Sequence, residues 1–427
     1  MIQHYLSQYK TIQSQLNEPA WLKEIRLTAL TQFEKKSFPT VDQENWRFTN
    51  VKPVADRSFL FATEETREGP SNQIKNLIWK DHYSFQIVFV NGKFSPEFSN
   101  LNSSQSGIKI SSLSQALQAQ GEWVQPYLSK AEFSRSHGFL SMNTSLFQDG
   151  VFIHLGSNII VDQPIHILFV HTDPKENTMA LPRILIVLES GAQARVAQTY
   201  VGFSQEVYLT NTVSEIFLKS NASLHYLKSQ EEGSQAFHIS NTQVQQDQDS
   251  RFIAHSFSFG GKLSRDDLNV VLNGTGCVSE LNGLYMTSEG QHMDHHTLVD
   301  HVSSHCMSKQ TYKGVLAGKS KAIFDGKIIV RKDAQKTDAV QLNKNLLLSN
   351  DAWVQTKPDL EIFANDVKCK HGATVGQLSL EALFYLRSRG IHLKDAKKIL
   401  VQAFAQETVD SLPSHFLREK MSKKLKF

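Results

Sequence analysis

The densest group of potential metal ligands in the sequence lies in QHMDHHTLVDHVSSHC, residues 291–306. Imidazole, carboxylate and thiolate groups are the usual protein ligands of zinc and iron, and this segment supplies His292, Asp294, His295, His296, Asp300, His301, His305 and Cys306. In an extended strand, alternate residues share a face, which places His292, Asp294 and His296 together. Because the segment has neither an HExxH nor a CxxC spacing, we favour a hydrogen-bonded ladder on a solvated strand face over a metal site.

A second group lies in DVKCKHGATVG, residues 366–376. A strand here places Cys369 and His371 on one face and Lys368 and Lys370 on the other. Lysines lower the pKa of a nearby thiol, although these two are expected across the strand from Cys369. Two ligands do not complete a tetrahedral site, which needs about four donors. A metal at this pair therefore requires ligands from elsewhere in the chain or from a second chain, and the pattern alone favours a purely structural Cys-x-His pair.

Other kinds of active site have little support in the sequence. A GxSxG nucleophile motif is absent, and so are the GxxxxGK[ST] and GxGxxG loops that cradle phosphates. We therefore expect no nucleotide to bind to this chain through those loops.

Composition excludes further classes of protein. The 45 basic and 42 acidic residues leave a net charge of only +3, too small and too scattered for a nucleic-acid binder. The longest aliphatic run, Ile184 to Leu188, is far shorter than the roughly 20 residues of a membrane helix. The N-terminal residues do not resemble a signal peptide, so we expect a cytoplasmic protein. Three widely spaced cysteines predict free thiols in a reducing compartment.

The sequence pattern divides the chain into three regions. Residues 1–84 are predicted to be helical and irregular, with an amphipathic helix from Ala20 to Phe33. Residues 85–375 contain short apolar runs bounded by turn residues, and they begin with a hairpin at Asn91-Gly92. Residues 376–427 return to helical periodicity, with Gly390 ending one helix and Ser414 capping the last.

A repeat within the middle region indicates its architecture. Small residues followed by alternating runs recur at intervals of 26 to 31 residues, at Ala192, Ala222, Ser250 and Gly276 and again at Ser320 and Asp351. Such a period is typical of a β-solenoid, whose coils bury their apolar faces against one another. Strands of a β-sandwich instead recur about every 8 to 12 residues without a longer period. We therefore predict a mainly β protein with a β-solenoid core, regular from about residue 145, and keep the sandwich as the alternative.

Several long motifs resemble the SufB/SufD family of iron-sulfur cluster assembly proteins. The resemblance is strongest in AIFDGKIIVRKDAQKTDAVQLNKNLLLSNDA (322–352), PDLEIFANDVKCKHGATVG (358–376) and FYLRSRGI (384–391). Weaker matches occur at ENWRFTN (44–50), FVNGKFSPE (89–97) and GGKLSRDDLNVVLNG (260–274). The sequence departs from the family pattern at Lys370, where a serine is usual, and at Asn365, where an aspartate is usual.

The resemblance implies a right-handed parallel β-helix flanked by helical regions, and a non-enzymatic role. It implies a scaffold with one SufB subunit and two copies of the ATPase SufC, in which iron enters and a transient cluster forms at the junction with SufB. The family's junction histidine and cysteine correspond to His371 and Cys369. The helical region after the β-helix corresponds to the SufC-binding segment, whose matching residues here are Phe384, Tyr385, Arg387, Arg389 and Gly390.

Two other interpretations remain open from the sequence. One is a β-helix enzyme acting on carbohydrate, with Asp294 and Asp300 as acid and base. The other is the SufB kind of subunit, which receives sulfur. An exposed edge of a β-helix also invites self-pairing, so a homodimer through that edge and a monomer both remain open for the chain alone.

Overall fold

The N-terminal region is helical and lies against the side of a β-solenoid in the computed structural model. The structure describes residues 2–15, 18–62, 71–79, 82–101, 106–131, 137–172 and 175–425. The helices are α1 (Ile2–Gln15), α2 (Ala20–Lys36), α3 (Lys52–Ala55), α4 (Ser71–Lys75), α5 (Leu113–Ala119), α6 (Gly121–Val124) and α7 (Gly138–Leu146), with 3-10 turns at Glu44–Trp46 and Pro96–Phe98. The predicted amphipathic helix is α2, which buries Leu22, Arg26, Ala29, Leu30 and Phe33.

Short strands precede the regular coils. They are β1 (Leu60–Phe61), β2 (Phe85–Val90), β3 (Lys93–Phe94), β4 (Ile108–Ser112), β5 (Gly150–Leu155), β6 (Ile165–His171), β7 (Thr178–Ala180) and β8 (Arg183–Leu188). The predicted hairpin joins β2 to β3, and both of its turn residues, Asn91 and Gly92, have positive φ. Two-residue hairpin turns of this kind need left-handed backbone, which the Asn-Gly pair adopts readily.

The remaining strands form the solenoid and are almost uniform in length. They are β9 (Gln193–Gly202), β10 (Tyr208–Leu218), β11 (Ser223–Glu231), β12 (Phe237–Gln246), β13 (Arg251–Ser258), β14 (Leu263–Leu272), β15 (Val278–Thr287), β16 (His292–His301), β17 (Met307–Leu316), β18 (Lys321–Val330), β19 (Asp338–Leu347), β20 (Trp353–Ile362) and β21 (Lys368–Gly376). Even-numbered strands stack in one parallel sheet and odd-numbered strands in the other. The predicted solenoid is therefore confirmed.

The register of the coils corrects two of the predicted corners by one residue. Val278 pairs with Arg251, so the corner position that Ser250 occupies in one coil is occupied by Cys277, and not by Gly276, in the next. Trp353 pairs with Lys321, so the residue that stacks on Ser320 in the next coil is Ala352 and not Asp351. In both cases the turn before the strand contains polar residues next to the small corner residue, and the sequence alone does not show which of them faces inward.

Alternation along each strand fills the space between the two sheets. In β14, for example, Leu268, Val270 and Leu272 belong to the largest buried apolar cluster, while Arg265 and Asp267 point outward. Parallel strands covered on both faces are expected to be buried throughout, and the middle coils follow that rule.

The chain ends in three helices that cover part of the odd-numbered sheet. They are α8 (Leu380–Ser388), α9 (Leu393–Asp410) and α10 (His415–Ser422). The Ser414 side chain accepts a hydrogen bond from the Leu417 amide, as the sequence predicts for the cap of the last helix. No helix in the described ranges is long and apolar enough to span a membrane.

Candidate functional site

The solenoid ends in two strands that each have a neighbour on one side only. Among the described residues β20 pairs with β18 alone, and β21 pairs with β19 alone. Their outer edges therefore present backbone N–H and C=O groups that no strand within the described ranges satisfies. Such edges are templates for pairing with another chain.

Cys369 and His371 lie on the last of these strands and share its inner face. Cys369 is half-buried and packs against the solenoid core, whereas His371 is exposed. His371 pairs in register with Gln341, which is fully buried. The strand that carries the two side chains is thus paired with β19 of the preceding coil along one edge, and no described strand covers its other edge.

This pair does not make a complete metal site by itself. In the described part of the chain, no three His, Cys, Asp or Glu side chains are grouped so that they could hold a metal ion. Burial raises the pKa of the Cys369 thiol, and the nearby carboxylate of Asp338 raises it further. Lys368 and Lys370 are exposed on the opposite face of the strand, as the alternation of side chains predicts, and neither lowers this pKa.

A row of buried amides supports the face on which His371 lies. The Gln341 Nε2 group donates to Gln310 Oε1 over 2.7 Å, and the Gln310 amide in turn donates to the Thr297 hydroxyl. All three side chains are almost completely buried inside the solenoid. Because buried polar groups that satisfy one another resist displacement, the row fixes the coil beneath β21.

The His-rich segment of residues 291–306 forms β16 and the turn after it, and its side chains divide between two faces. His295 and His301 point into the solenoid, while Asp294 and His296 point outward. The prediction of a solvated ladder is wrong, since Asp294 and His296 are only 1% and 4% exposed. Residues 44–50, which we call the strap, lie across this face and exclude water from it.

The strap is held by a buried ionic cluster. Arg265 donates to both carboxylate oxygens of Asp267 at 2.9 Å and to Asp294 Oδ2 at 2.8 Å. Its guanidinium lies 3.7 Å from the centre of the Trp46 ring and donates to the Asn45 carbonyl oxygen. Burial opposes the charged form of Asp294, but His296 and Arg265 outweigh it and hold its pKa well below the usual range.

These contacts weigh against a glycosidase-like pair made of Asp294 and Asp300. A general acid of that kind needs a raised pKa, and Asp294 has a lowered one. Asp300 is bound by Arg331 through two hydrogen bonds of 3.0 and 2.7 Å. Both carboxylates therefore act as partners of arginines.

The segment FYLRSRGI forms most of α8 and the turn after it, and much of its apolar surface faces solvent. Phe384 and Tyr385 are 75% and 59% exposed, and Leu383 is the one buried side chain of α8. Arg387 is exposed, and Arg389 lies 5.4 Å from the Tyr385 ring centre. Gly390 has a φ of +85°, a conformation that favours glycine at the end of a helix.

Three further apolar side chains extend this surface, and the sequence analysis did not assign them to it. They are Leu380, Leu393 and Ile399, all exposed on α8 and α9. A cleft of about 400 Å³ beside them is lined by Leu347, Leu378 and Lys398, among others. We call the exposed side chains of Leu380, Phe384, Tyr385, Leu393 and Ile399 the helix-pair surface. Their helical spacing was visible, but spacing does not reveal whether a stripe packs on its own chain or on a partner.

Comparisons with known proteins cover almost the whole chain. Residues 169–404 match the SufBD core domain of the SUF system for FeS cluster assembly, and residues 1–167 match the SufBD protein N-terminal region. A SufBD family iron-sulfur cluster assembly protein of Synechocystis is 33% identical over 88% of this chain and 84% of its own length. The iron-sulfur cluster assembly protein SufD of Escherichia coli is 30% identical over 92% of this chain and 89% of its own length. SufD of Bacillus subtilis is 25% identical over 98% of this chain and 96% of its own length.

Proposed function

The chain belongs to the SufBD family of iron-sulfur cluster assembly proteins, and from that premise we propose that it is the SufD-type, non-catalytic scaffold subunit of a SufB–SufC–SufD complex. The observation that carries this proposal is the end of the solenoid, where β20 and β21 each have an edge that no described strand covers, and where β21 carries Cys369 and His371. A scaffold of this kind contributes positioned donors and binding surfaces and leaves ATP hydrolysis to its partner.

The incomplete ligand set supports an interface with SufB at this end. His371 and Cys369 supply two donors, and a cluster or iron ion needs more. A partner whose strands pair with β20 and β21 would bring its own side chains to the same face. Iron and the nascent cluster are then substrates shared between the two chains, and His371, the more exposed of the pair, is the better donor.

The helix-pair surface supports contact with the ATPase SufC. An exposed apolar patch of this kind is typical of a protein–protein interface. One such surface on this chain and one on SufB would give a complex of one SufB, one subunit of this kind and two SufC. Closure of the two ATPase subunits would then act on both scaffold chains through their C-terminal helices.

Co-expression with SufB and SufC tests this proposal. We expect the wild-type chain to co-purify with both partners under anaerobic conditions and to give iron-sulfur absorbance. His371→Ala should keep the complex and lose the absorbance. Lys370→Ala is the matched control, because it removes an exposed side chain from the opposite face of the same strand.

The helix-pair surface has its own test in the same experiment. Phe384→Ala should reduce recovery of SufC and leave SufB bound, whereas Leu27→Ala, an exposed apolar residue of α2, should change neither. If the wild-type chain recovers neither partner, the proposal is wrong. A persulfide found by mass spectrometry on a cysteine of this chain would instead identify it as the SufB kind of subunit.

A further inference from the structure

Two of the three cysteines occupy the same position in successive coils of the solenoid. Cys277 directly precedes β15 and Cys306 directly precedes β17, and the register pairs Val278 with Met307. The Met307 amide donates to the Cys277 carbonyl oxygen over 2.9 Å, so the backbones are hydrogen-bonded at this rung. Neighbouring strands lie about 4.8 Å apart, which falls within the Cα separation that a disulfide spans.

The two side chains also converge. Cys277 Sγ lies 3.1 Å from the Gly274 carbonyl oxygen, and Cys306 Sγ lies 3.3 Å from the same oxygen. Both residues have no exposed surface. Both sulfurs therefore lie around one carbonyl oxygen in the same closed corner.

The two neighbouring thiols are chemically unequal. The presence of Cys306 lowers the pKa of the Cys277 thiol, whereas Cys277, together with burial, raises the pKa of Cys306. A nucleophilic thiol beside a protonated one is the arrangement that dithiol redox pairs use. Neither thiol has a role in the function proposed above.

The other rungs of this corner cannot form such a link. The equivalent positions before the neighbouring odd-numbered strands are Ala222, Ser250 and Thr337. Cys369 belongs to the last coil, two strands beyond Cys306 in the sheet, and sits inside β21 and not at its corner. The pair is therefore isolated from the third thiol.

We propose that Cys277 and Cys306 are a redox pair, which a peroxide oxidises to a disulfide that joins two successive coils. The Cys277 thiol releases its proton, the thiolate attacks one oxygen of hydrogen peroxide, and the O–O bond breaks to give a sulfenic acid and a hydroxide ion, which takes up the released proton to form one water. The Cys306 sulfur then attacks the sulfenic sulfur, its proton leaves with the departing hydroxyl as a second water, and the S–S bond forms. The two thiols lose two electrons and the peroxide gains them.

The turn beside the sulfurs gives a small oxidant a route to them. Both sulfurs contact the Gly274 carbonyl oxygen, and the residues on either side of Gly274, Asn273 and Thr275, are exposed. Local opening of a surface turn requires far less free energy than global unfolding. Oxidation of the folded protein should therefore proceed without loss of the solenoid.

Mass spectrometry of the full-length chain tests the proposal. Reduced protein, freed of reductant, is treated with hydrogen peroxide and then alkylated under non-reducing conditions. Trypsin leaves both cysteines in one peptide, residues 266–309, because no Lys or Arg lies between Arg265 and Lys309. Cleavage of that peptide after Glu280 and Glu289 separates Cys277 from Cys306, so the two fragments stay together only if the disulfide exists.

We expect the linked fragments after peroxide, and their separation after dithiothreitol. Cys277→Ser and Cys306→Ser should each abolish the link, whereas Cys369→Ser should retain it. The peptide map of the wild-type chain decides the question even if a corner variant does not fold. Alkylation of both cysteines after peroxide, their oxidation to sulfinic acids, or disulfides between chains only would each overturn the proposal.

Discussion

Replacing Asp294 with asparagine tests whether the buried ionic cluster holds the strap on the solenoid. The Asp294 carboxylate accepts hydrogen bonds from Arg265 at 2.8 Å and from the strap residue Thr49 at 2.6 Å. The His296 Nε2 atom lies 2.9 Å from its other oxygen. Asparagine has nearly the same shape, so Asp294→Asn removes the charge without creating a cavity.

The size of the effect follows from what remains around Arg265. Breaking a buried ion pair by removing one partner costs about 3–5 kcal/mol, because the other charge is left without compensation. Arg265 keeps both hydrogen bonds to Asp267, so we expect the lower end of that range, about 3 kcal/mol. Asp300→Asn is the control on the same strand, and its partner Arg331 has a side chain that is 57% exposed. Because the exposed Arg331 side chain stays solvated when the buried Asp300 loses its charge, we expect a loss of only about 1 kcal/mol.

Urea denaturation at pH 7, followed by circular dichroism, measures both free energies of unfolding. Limited trypsin digestion supplies a local measurement, because Arg47 is an exposed residue of the strap. We expect faster cleavage after Arg47 in Asp294→Asn and an unchanged rate in Asp300→Asn. If Asp294→Asn is no less stable than Asp300→Asn, Asp267 alone neutralises Arg265 and our reasoning about the cluster is wrong.

Three other perturbations have defined expectations. Glu215→Gln should lower the free energy of unfolding by about 3–5 kcal/mol in urea titrations, because Arg183 and Glu215 are both buried and would lose their ion pair; a loss below about 1 kcal/mol would contradict this. Burial lowers the pKa of four imidazoles to about 4, and these are His137, His255, His295 and His301. In the unfolded chain an imidazole has a pKa of about 6.5, so below that pH the unfolded state takes up protons that the folded state does not bind. The free energy of unfolding should therefore fall between pH 6.5 and 4, by on the order of 2 kcal/mol per imidazole at pH 5. His255→Gln should make the free energy of unfolding less dependent on pH in this range. Gly314→Ala should cost about 1–3 kcal/mol in thermal or urea denaturation, because its Cβ would lie 2.2 Å from the Tyr285 ring.

The solenoid was predictable because each coil repeats the same local requirement. Alternating apolar residues such as Val270 and Leu272 must face inward, and a small residue such as Ala222 must fill each corner. The hairpin at Asn91-Gly92 and the cap at Ser414 were predictable for the same reason, since each depends on neighbouring residues only. Local chemistry therefore determined most of the architecture.

Long-range burial was not predictable from the same patterns. Thr49 and Asp294 are 245 residues apart, and no periodicity in β16 indicates that a distant segment covers it. The exposure of Phe384 was equally hidden, because the apolar spacing in α8 fits burial on the chain itself or on a partner. The Cys369–His371 face followed from strand alternation, whereas the support that Gln341 gives it required the register.

The candidate site on β21 is supported by side-chain hydrogen bonds on its inner side and uncovered at its outer edge. This difference suits a site shared between chains. On the inner side, Gln341, Gln310 and Thr297 are joined in a row by two hydrogen bonds in the coil under His371. On the outer side, β20 and β21 have edges that no strand in the described ranges covers. A ligand face that is rigid beneath and unpaired at its rim can accept a second chain without reorganising its own donors. The coil beneath β21 is therefore positioned within the fold, and in the complex that we propose the partner would have only to supply the remaining ligands.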